Sequence, residues 1–292
     1  MKARFNQSAH DREYSPSSCV DDIDVYLDEY AARSQKVKIT ALAEGSCVAD
    51  LAYGNSPDER LDLFLPATMG PAPLHVFIHG GFWQALSKED ALFAAPMFQS
   101  HGSFFAALNY SLAPQASLTE IVNQIRRAVM WLFHNAGRWG FDPASIYVSG
   151  SSAGAHLAAI LLQTNWTEFG LDKNIIKGLC AVSGIYDLAP IRYSYVNEVL
   201  GLSQREVLDY SPMNQPIHNS CPVILAYGDN ETSEFKRQTN EYRKHLSLST
   251  EEVRFNEIMG RNHFDVIMDL MDQNSWLSQQ VLRQMKLKLH EN

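Results

Sequence analysis

Short apolar runs alternate along this chain with longer stretches in which apolar residues recur at helical spacing. The runs "HVFIH" (His75 to His79) and "FFAALN" (Phe104 to Asn109) read as buried strands. "SLTEIVNQIRRAVMWLFHNAGRWG" predicts a long helix, with Ser117 as N-cap, Glu120 three residues later in capping-box position and Gly140 as the stop. Next come a strand "SIYVS" (Ser145 to Ser149), a helix from Ala153, and strands "IKGLCAVS" (Ile176 to Ser183) and "PVILAY" (Pro222 to Tyr227). A helix from about Ser233, a strand "EVRFNEI" and a last helix from about Phe264 complete the series. Strands rich in Val, Ile and Leu with helices between them imply an α/β fold, its mostly parallel central sheet covered by helices on both faces.

Upstream, "GSCVADLAYG" and "RLDLFLPA" alternate apolar and polar residues more strictly and predict an antiparallel hairpin at one sheet edge. Residues 187–219 show no strand pattern and several Pro, Tyr and Ser residues, which predicts a small helical cap above the sheet. The expected organisation is a single domain over 1–292, with a helical lead-in at about 1–40 and the cap-like excursion at about 187–219. No internal repeat or low-complexity tract interrupts it.

A formal net charge of -9 excludes the basic face that a nucleic-acid binder needs. It suits an enzyme that is a monomer or a homodimer. Cys19, Cys47, Cys180 and Cys221 are far apart and lack the spacing of a zinc site or a redox pair, so reduced thiols and no metal are expected. The first residues lack the apolar stretch of a secretory signal and no run approaches a membrane span, so the expected location is cytoplasmic, with no membrane partner.

The chemistry concentrates in "VSGSSAGAHLAA" (Val148 to Ala159). Gly150-Ser151-Ser152-Ala153-Gly154 fits the nucleophile-elbow pattern G-x-S-x-G only with Ser152 at its centre, at the turn from strand to helix. "HGGFW" (His79 to Trp83) follows an earlier strand, as the oxyanion loop of lipases and esterases does. The backbone amides of Gly81, Phe82 and Ala153 are the expected oxyanion hole. The base is expected late in the chain, where "GRNHFDVI" offers His263 in a polar loop, whereas His134 and His245 fall inside helix patterns and His156 lies one helical turn after Ser152. For the acid, "AYGDNETSEF" offers Glu231, third after Gly228, with Asp229 as the competitor able to brace the turn. Trp83, Phe82 and the segment Tyr186 to Tyr195 supply aromatic side chains for a substrate wall or for packing, with Trp83 and Tyr186 expected to face the substrate.

With these residues in place, the chain resembles the kynurenine formamidase (arylformamidase) group of the α/β-hydrolases. His79, Gly80, Gly81 and Trp83 match the group's HGGxW signature, and the likeness extends over nearly the whole chain. It includes "YSPSS" (Tyr14 to Ser18), "SAGAHLAA" (Ser152 to Ala159), "VSGIYDLAPI" (Val182 to Ile191), "VNEVLGL" (Val196 to Leu202), "SEFKRQ" (Ser233 to Gln238) and "NHFDVI" (Asn262 to Ile267). The resemblance implies Ser152 as nucleophile, His263 as base, and Glu231 as acid, four residues before the Phe of the "EF" pair. It departs in having Ser151 where many relatives carry His, and Glu where many carry Asp. The implied reaction is hydrolysis of N-formyl-L-kynurenine to L-kynurenine and formate without a cofactor. A carboxylesterase or carbamate hydrolase acting on small aryl substrates is the alternative chemistry, so the expected partner is a small aryl formamide or ester. A hydrolase-like binding protein that keeps the elbow only as architecture is the contrasting class, and labelling of Ser152 by a fluorophosphonate separates it from an enzyme.

Overall fold

The computed structural model describes residues 6–67, 70–250 and 252–288. Two helices come first, α1 (Gln7–Glu13) and α2 (Asp24–Ala43), joined through a 3-10 turn at Pro16–Cys19. The strands are β1 (Cys47–Ala52), β2 (Arg60–Phe64), β3 (Ala72–Ile78), β4 (Phe104–Leu108), β5 (Phe141–Ser151), β6 (Ile176–Val182), β7 (Val223–Asn230) and β8 (Val253–Asn262). Among and after them lie α3 (Ala95–Ser100), α4 (Leu118–Trp139), α5 (Ala153–Gln163), α6 (Asn197–Leu200), α7 (Gln204–Tyr210), α8 (Ser233–Leu246) and α9 (Trp276–Gln284).

All eight strands form one sheet in the order β1-β2-β4-β3-β5-β6-β7-β8. β1 and β2 are the antiparallel hairpin at one edge, β2 also runs antiparallel to β4, and every pairing from β4 to β8 is parallel. Burial on both faces explains the continuous apolar runs, as in β4, where all five residues are buried. Side chains alternate across the pleat. Val76 and Ile78 of β3 join a core shared with α4, α5 and α8, while Phe77 faces the opposite core with α2, α3 and α9. Among the described residues, no helix is long and apolar enough to cross a membrane.

α4 begins and ends where its sequence signals stand. Ser117 Oγ accepts the Glu120 amide at 3.2 Å, and Gly140 closes the helix with φ 90°. The capping box is only half made, because the Glu120 carboxylate pairs with Arg127 at 2.6 Å instead. β5 is longer than its apolar run, starting at Phe141, which pairs with Ala72 of β3. The last helix starts later than its expected beginning at Phe264. A 3-10 segment, Val266–Met271, comes first, and Asp272 then turns the chain by accepting the Asn274 amide at 2.9 Å before Ser275 caps α9. Residues 187–219 contain α6, α7 and two 3-10 turns.

Three histidines are locked into this framework as neutral rings. His75 of β3 stacks on Phe98 with its Nε2 2.7 Å from Ser149 Oγ. His79 stacks on Tyr110 and donates from Nδ1 to its neighbour's carbonyl, Gly80 O. His156 of α5 donates from Nε2 to Tyr210 O at 2.7 Å. Burial lowers their pKa from the ordinary 6.5 to about 3 for His75 and about 4 for His79 and His156. Below pH 6.5 the unfolded chain therefore binds protons that the folded chain refuses, so stability is full above that pH and falls as the pH drops toward 4. Each histidine contributes a slope of about 1.4 kcal/mol per pH unit across that window. The urea midpoint should decline steadily on acidification from about pH 7 to about pH 5, ahead of ordinary carboxylate titration. A midpoint that stays flat over that range would contradict the burial of these rings.

Candidate active site

Ser152 stands alone between β5, which ends at Ser151, and α5, which begins at Ala153. Its backbone has φ 56° and ψ -119°, a conformation that side-chain-bearing residues rarely adopt and that persists only when the surroundings over-determine it. Here they do. The Ser152 amide donates to Val182 O at the end of β6 (2.9 Å), and Ser152 O accepts the His156 amide at 3.1 Å. The helix turns back so tightly over the sheet that a Cβ on Gly154 would meet Ile78 O at 2.0 Å. Only glycine allows that approach. As the first residue of α5, Ala153 has an amide with no intrahelical acceptor, at the positive end of the helix dipole.

The loop after β3 packs directly onto this elbow. A Cβ on Gly80 would lie 2.9 Å from Ser151 O and 3.3 Å from Ser152 Cβ. Gly81, Phe82 and Trp83 follow with φ of 92°, 50° and 59°, three successive left-handed residues. Gly81 O accepts the amides of Gln84 and Ala85, both at 2.9 Å, and Tyr110 OH donates to His79 O at 2.9 Å. These bonds hold the loop against the elbow.

Just past the ends of β7 and β8 stand Glu231 and His263. His263 Nδ1 lies 2.8 Å from Glu231 Oε2, with both side chains buried, and the imidazole packs edge-on against Phe235. Glu231 Oε1 accepts the Gly228 amide at 2.7 Å and the Ser183 hydroxyl at 2.6 Å. Asp229 is engaged elsewhere, its Oδ1 accepting the Arg261 amide at 3.1 Å and so bracing β7 against β8. The structure therefore brings Glu231, and not Asp229, to the histidine. Beneath the elbow, His156 packs edge-on against Trp83.

Ser152 and His263 open onto one cavity of about 270 Å³, which Gly80, Gly81 and Phe82 also line. Its aromatic wall differs from the expected one. Trp83 and Tyr186 are fully buried and do not line it: Trp83 packs on His156, and Tyr186 stacks on Tyr242 with centroids 4.1 Å apart. The left-handed turn at Trp83 sends its indole down into the core. The aromatic lining comes instead from Tyr30, Phe77, Phe82, Phe93, Tyr195 and Phe264. Of residues 187–219, only Tyr195 reaches the cavity, whereas the lead-in supplies Pro16, Ser17, Ile23, Leu27 and Tyr30.

The lead-in also grips the loops that carry Glu231 and His263, a role its sequence did not announce. Tyr30 OH donates to Phe264 O, Asn262 Nδ2 donates to Tyr26 OH at 2.8 Å, and the Tyr26 ring stacks on Phe264. On the acid side, Thr232 Oγ1 donates to Glu13 O at 2.6 Å, Asn230 Nδ2 to Cys19 O at 2.7 Å, and Tyr14 OH to Glu234 at 2.6 Å. The available signals were the "YSPSS" block and the placement of Tyr26 and Tyr30 one helical turn apart on α2. α2 is itself anchored by a buried charge cluster, in which Asp62 of β2 pairs with Lys38 at 3.0 Å and Lys88 at 2.8 Å. Burial works against the Lys88 ammonium, but hydrogen bonds to Asp62, Glu89 and Asp50 outweigh it and hold its pKa above the ordinary lysine range.

Comparison with known proteins agrees with this geometry. The BD-FAE family profile matches residues 61–246. Kynurenine formamidase of Danio rerio is 36% identical over 240 residues, 80% of each chain, and that of Salmo salar is 33% identical over 302 residues, 96% of this chain and 97% of the relative. A crystal structure from Silicibacter sp. TM1040, described as a thioesterase, superposes with TM-score 0.82 at 26% identity, covering 92% of this chain and 97% of that one. An esterase of Pyrobaculum calidifontis shares the fold, with TM-score 0.72 at 16% identity over 97% of this chain and 98% of that one. With an eight-stranded hydrolase sheet and this extent of identity, the chain belongs to the kynurenine formamidase family of α/β-hydrolases.

Proposed function

We propose that this protein is an arylformamidase that hydrolyses N-formyl-L-kynurenine to L-kynurenine and formate through a formyl-serine intermediate. The observation that carries the reading is the shared cavity: Ser152 on a strained elbow, His263 paired with Glu231, and the Gly81–Phe82 loop all border one apolar space. The names of the relatives supply the substrate.

In this mechanism Ser152 Oγ attacks the formyl carbon while His263 Nε2 takes its proton. The negative charge that develops on the formyl oxygen is met by the amides of Gly81, Phe82 and Ala153, each donor lowering the barrier by about 3 kcal/mol. Glu231 holds Nδ1–H and stabilises the imidazolium. The imidazolium then gives its proton to the aniline nitrogen, the C–N bond breaks, and kynurenine leaves. Water attacks the formyl-serine with His263 as base, and release of formate restores the Ser152 hydroxyl. The aromatic wall of Tyr30, Phe77, Phe93 and Phe264 suits an aryl leaving group. The one-domain organisation and a cytoplasmic location belong to the same proposal; four free cysteines, three of them buried, fit a reducing compartment.

A carboxylesterase acting on small aryl esters is the second reading, favoured by the 26% identical thioesterase structure. The two are separated by kcat/KM on N-formyl-L-kynurenine and 4-nitrophenyl acetate. An arylformamidase should prefer the formamide although the ester has the better leaving group, because only an aligned pocket lets His263 protonate nitrogen as the bond breaks. Ester turnover without formamide turnover would transfer the assignment to the second reading. Replacement of Ser152 by Ala should abolish hydrolysis of both substrates, while Ser151→Ala keeps a substantial rate; equal losses would remove Ser152 from its proposed role. Glu231→Gln should lower kcat by about a hundredfold or more, far beyond Asp229→Asn, since a neutral amide cannot stabilise the imidazolium. The opposite ranking in steady-state rates would make Asp229 the acid.

A further inference from the structure

Only one oxygen of Glu231 faces the histidine, so what holds the other decides where the carboxylate points. Oε1 has two donors, the Gly228 amide at 2.7 Å and the Ser183 hydroxyl at 2.6 Å. The amide comes with the chain turn at the end of β7. The hydroxyl comes from a different strand, since Ser183 follows β6, and nothing in the proposed reaction uses it. Ser183 is fully buried, and its backbone has φ 52°, a left-handed conformation in a residue other than glycine. Its amide donates to Ala226 O of β7 at 2.8 Å, which fixes that conformation. The effect is to aim Oγ across the strand ends at the acid.

We infer that Ser183 is a positioning residue for the acid–base pair, an assignment that rests on the proposed catalytic roles of Glu231 and His263. A glutamate carries one more rotatable bond than an aspartate, and a buried carboxylate left with spare acceptor sites is costly to desolvate. Ser183 addresses both needs. Its hydroxyl satisfies Oε1 and restrains the terminal torsion, so that Oε2 stays 2.8 Å from His263 Nδ1.

The test is Ser183→Ala and Ser183→Gly, with kcat and KM measured separately on the substrate the wild type turns over best. Loss of a hydrogen bond to a charged group predicts that kcat falls roughly tenfold in both variants with KM nearly unchanged. The glycine variant guards against a folding artefact: it relaxes the left-handed backbone while removing the same hydroxyl. A wild-type-like kcat in the alanine variant would overturn the assignment, and so would one in the glycine variant, which would trace any alanine loss to backbone strain. Retention of activity by Ser152→Ala would refute the catalytic reading itself, a result distinct from any behaviour at position 183, and would take this assignment with it.

Discussion

The arrangement of the site hangs on one close approach. The first turn of α5 comes so near the end of β3 that a side chain at Gly154 would sit 2.0 Å from Ile78 O. That contact makes the elbow sharp, and the sharp elbow leaves Ser152 at φ 56° with its side chain above the sheet. The same proximity brings the loop that leaves β3 against the elbow, with Gly80 within touching distance of Ser152 Cβ. Ser152 and the Gly80–Phe82 loop are thus set by the same backbone contact, and relaxing it would move both.

The remaining groups follow from the parallel sheet. β3, β5, β6, β7 and β8 all end on one side, and the residues just past those ends are His79 to Phe82, Ser152, Ser183, Glu231 and His263. In an open α/β sheet the crevice beyond the carboxyl ends of the strands is where separate segments can converge on one ligand. Five segments far apart in sequence meet there.

Across the site from the elbow, the lead-in acts as a clamp. Its residues bond to the acid loop through Glu13, Tyr14 and Cys19 and to the histidine loop through Tyr26 and Tyr30. It also walls the cavity with Pro16, Ile23 and Leu27. This stretch lies outside residues 61–246, the part that the BD-FAE profile matches. The buried Lys38–Asp62–Lys88 cluster ties the clamp to β2, and a charge cluster so poor in solvent resists sliding, because separating its members would leave an unpaired buried ion.

Much of this was legible in the residues themselves. Apolar runs marked β3 to β7, Ser117 and Gly140 bounded α4, and the G-x-S-x-G pentad singled out Ser152 at the end of β5. These are local signals, in which propensity, period and steric demand act over a few positions. What lay beyond them depended on groups distant in sequence. Glu231 and Asp229 sit two residues apart with the same charge, and only the pairing of β7 with β8 turns one to His263 and the other to Arg261. Trp83 was expected at the substrate, yet a left-handed backbone, invisible in a residue other than glycine, buries it against His156. The lead-in's part in the site, and Ser183's bond to Glu231 across 48 residues, exist only where separate strand ends and helices come together, because a hydrogen bond is specified by position in space and not by spacing along the chain.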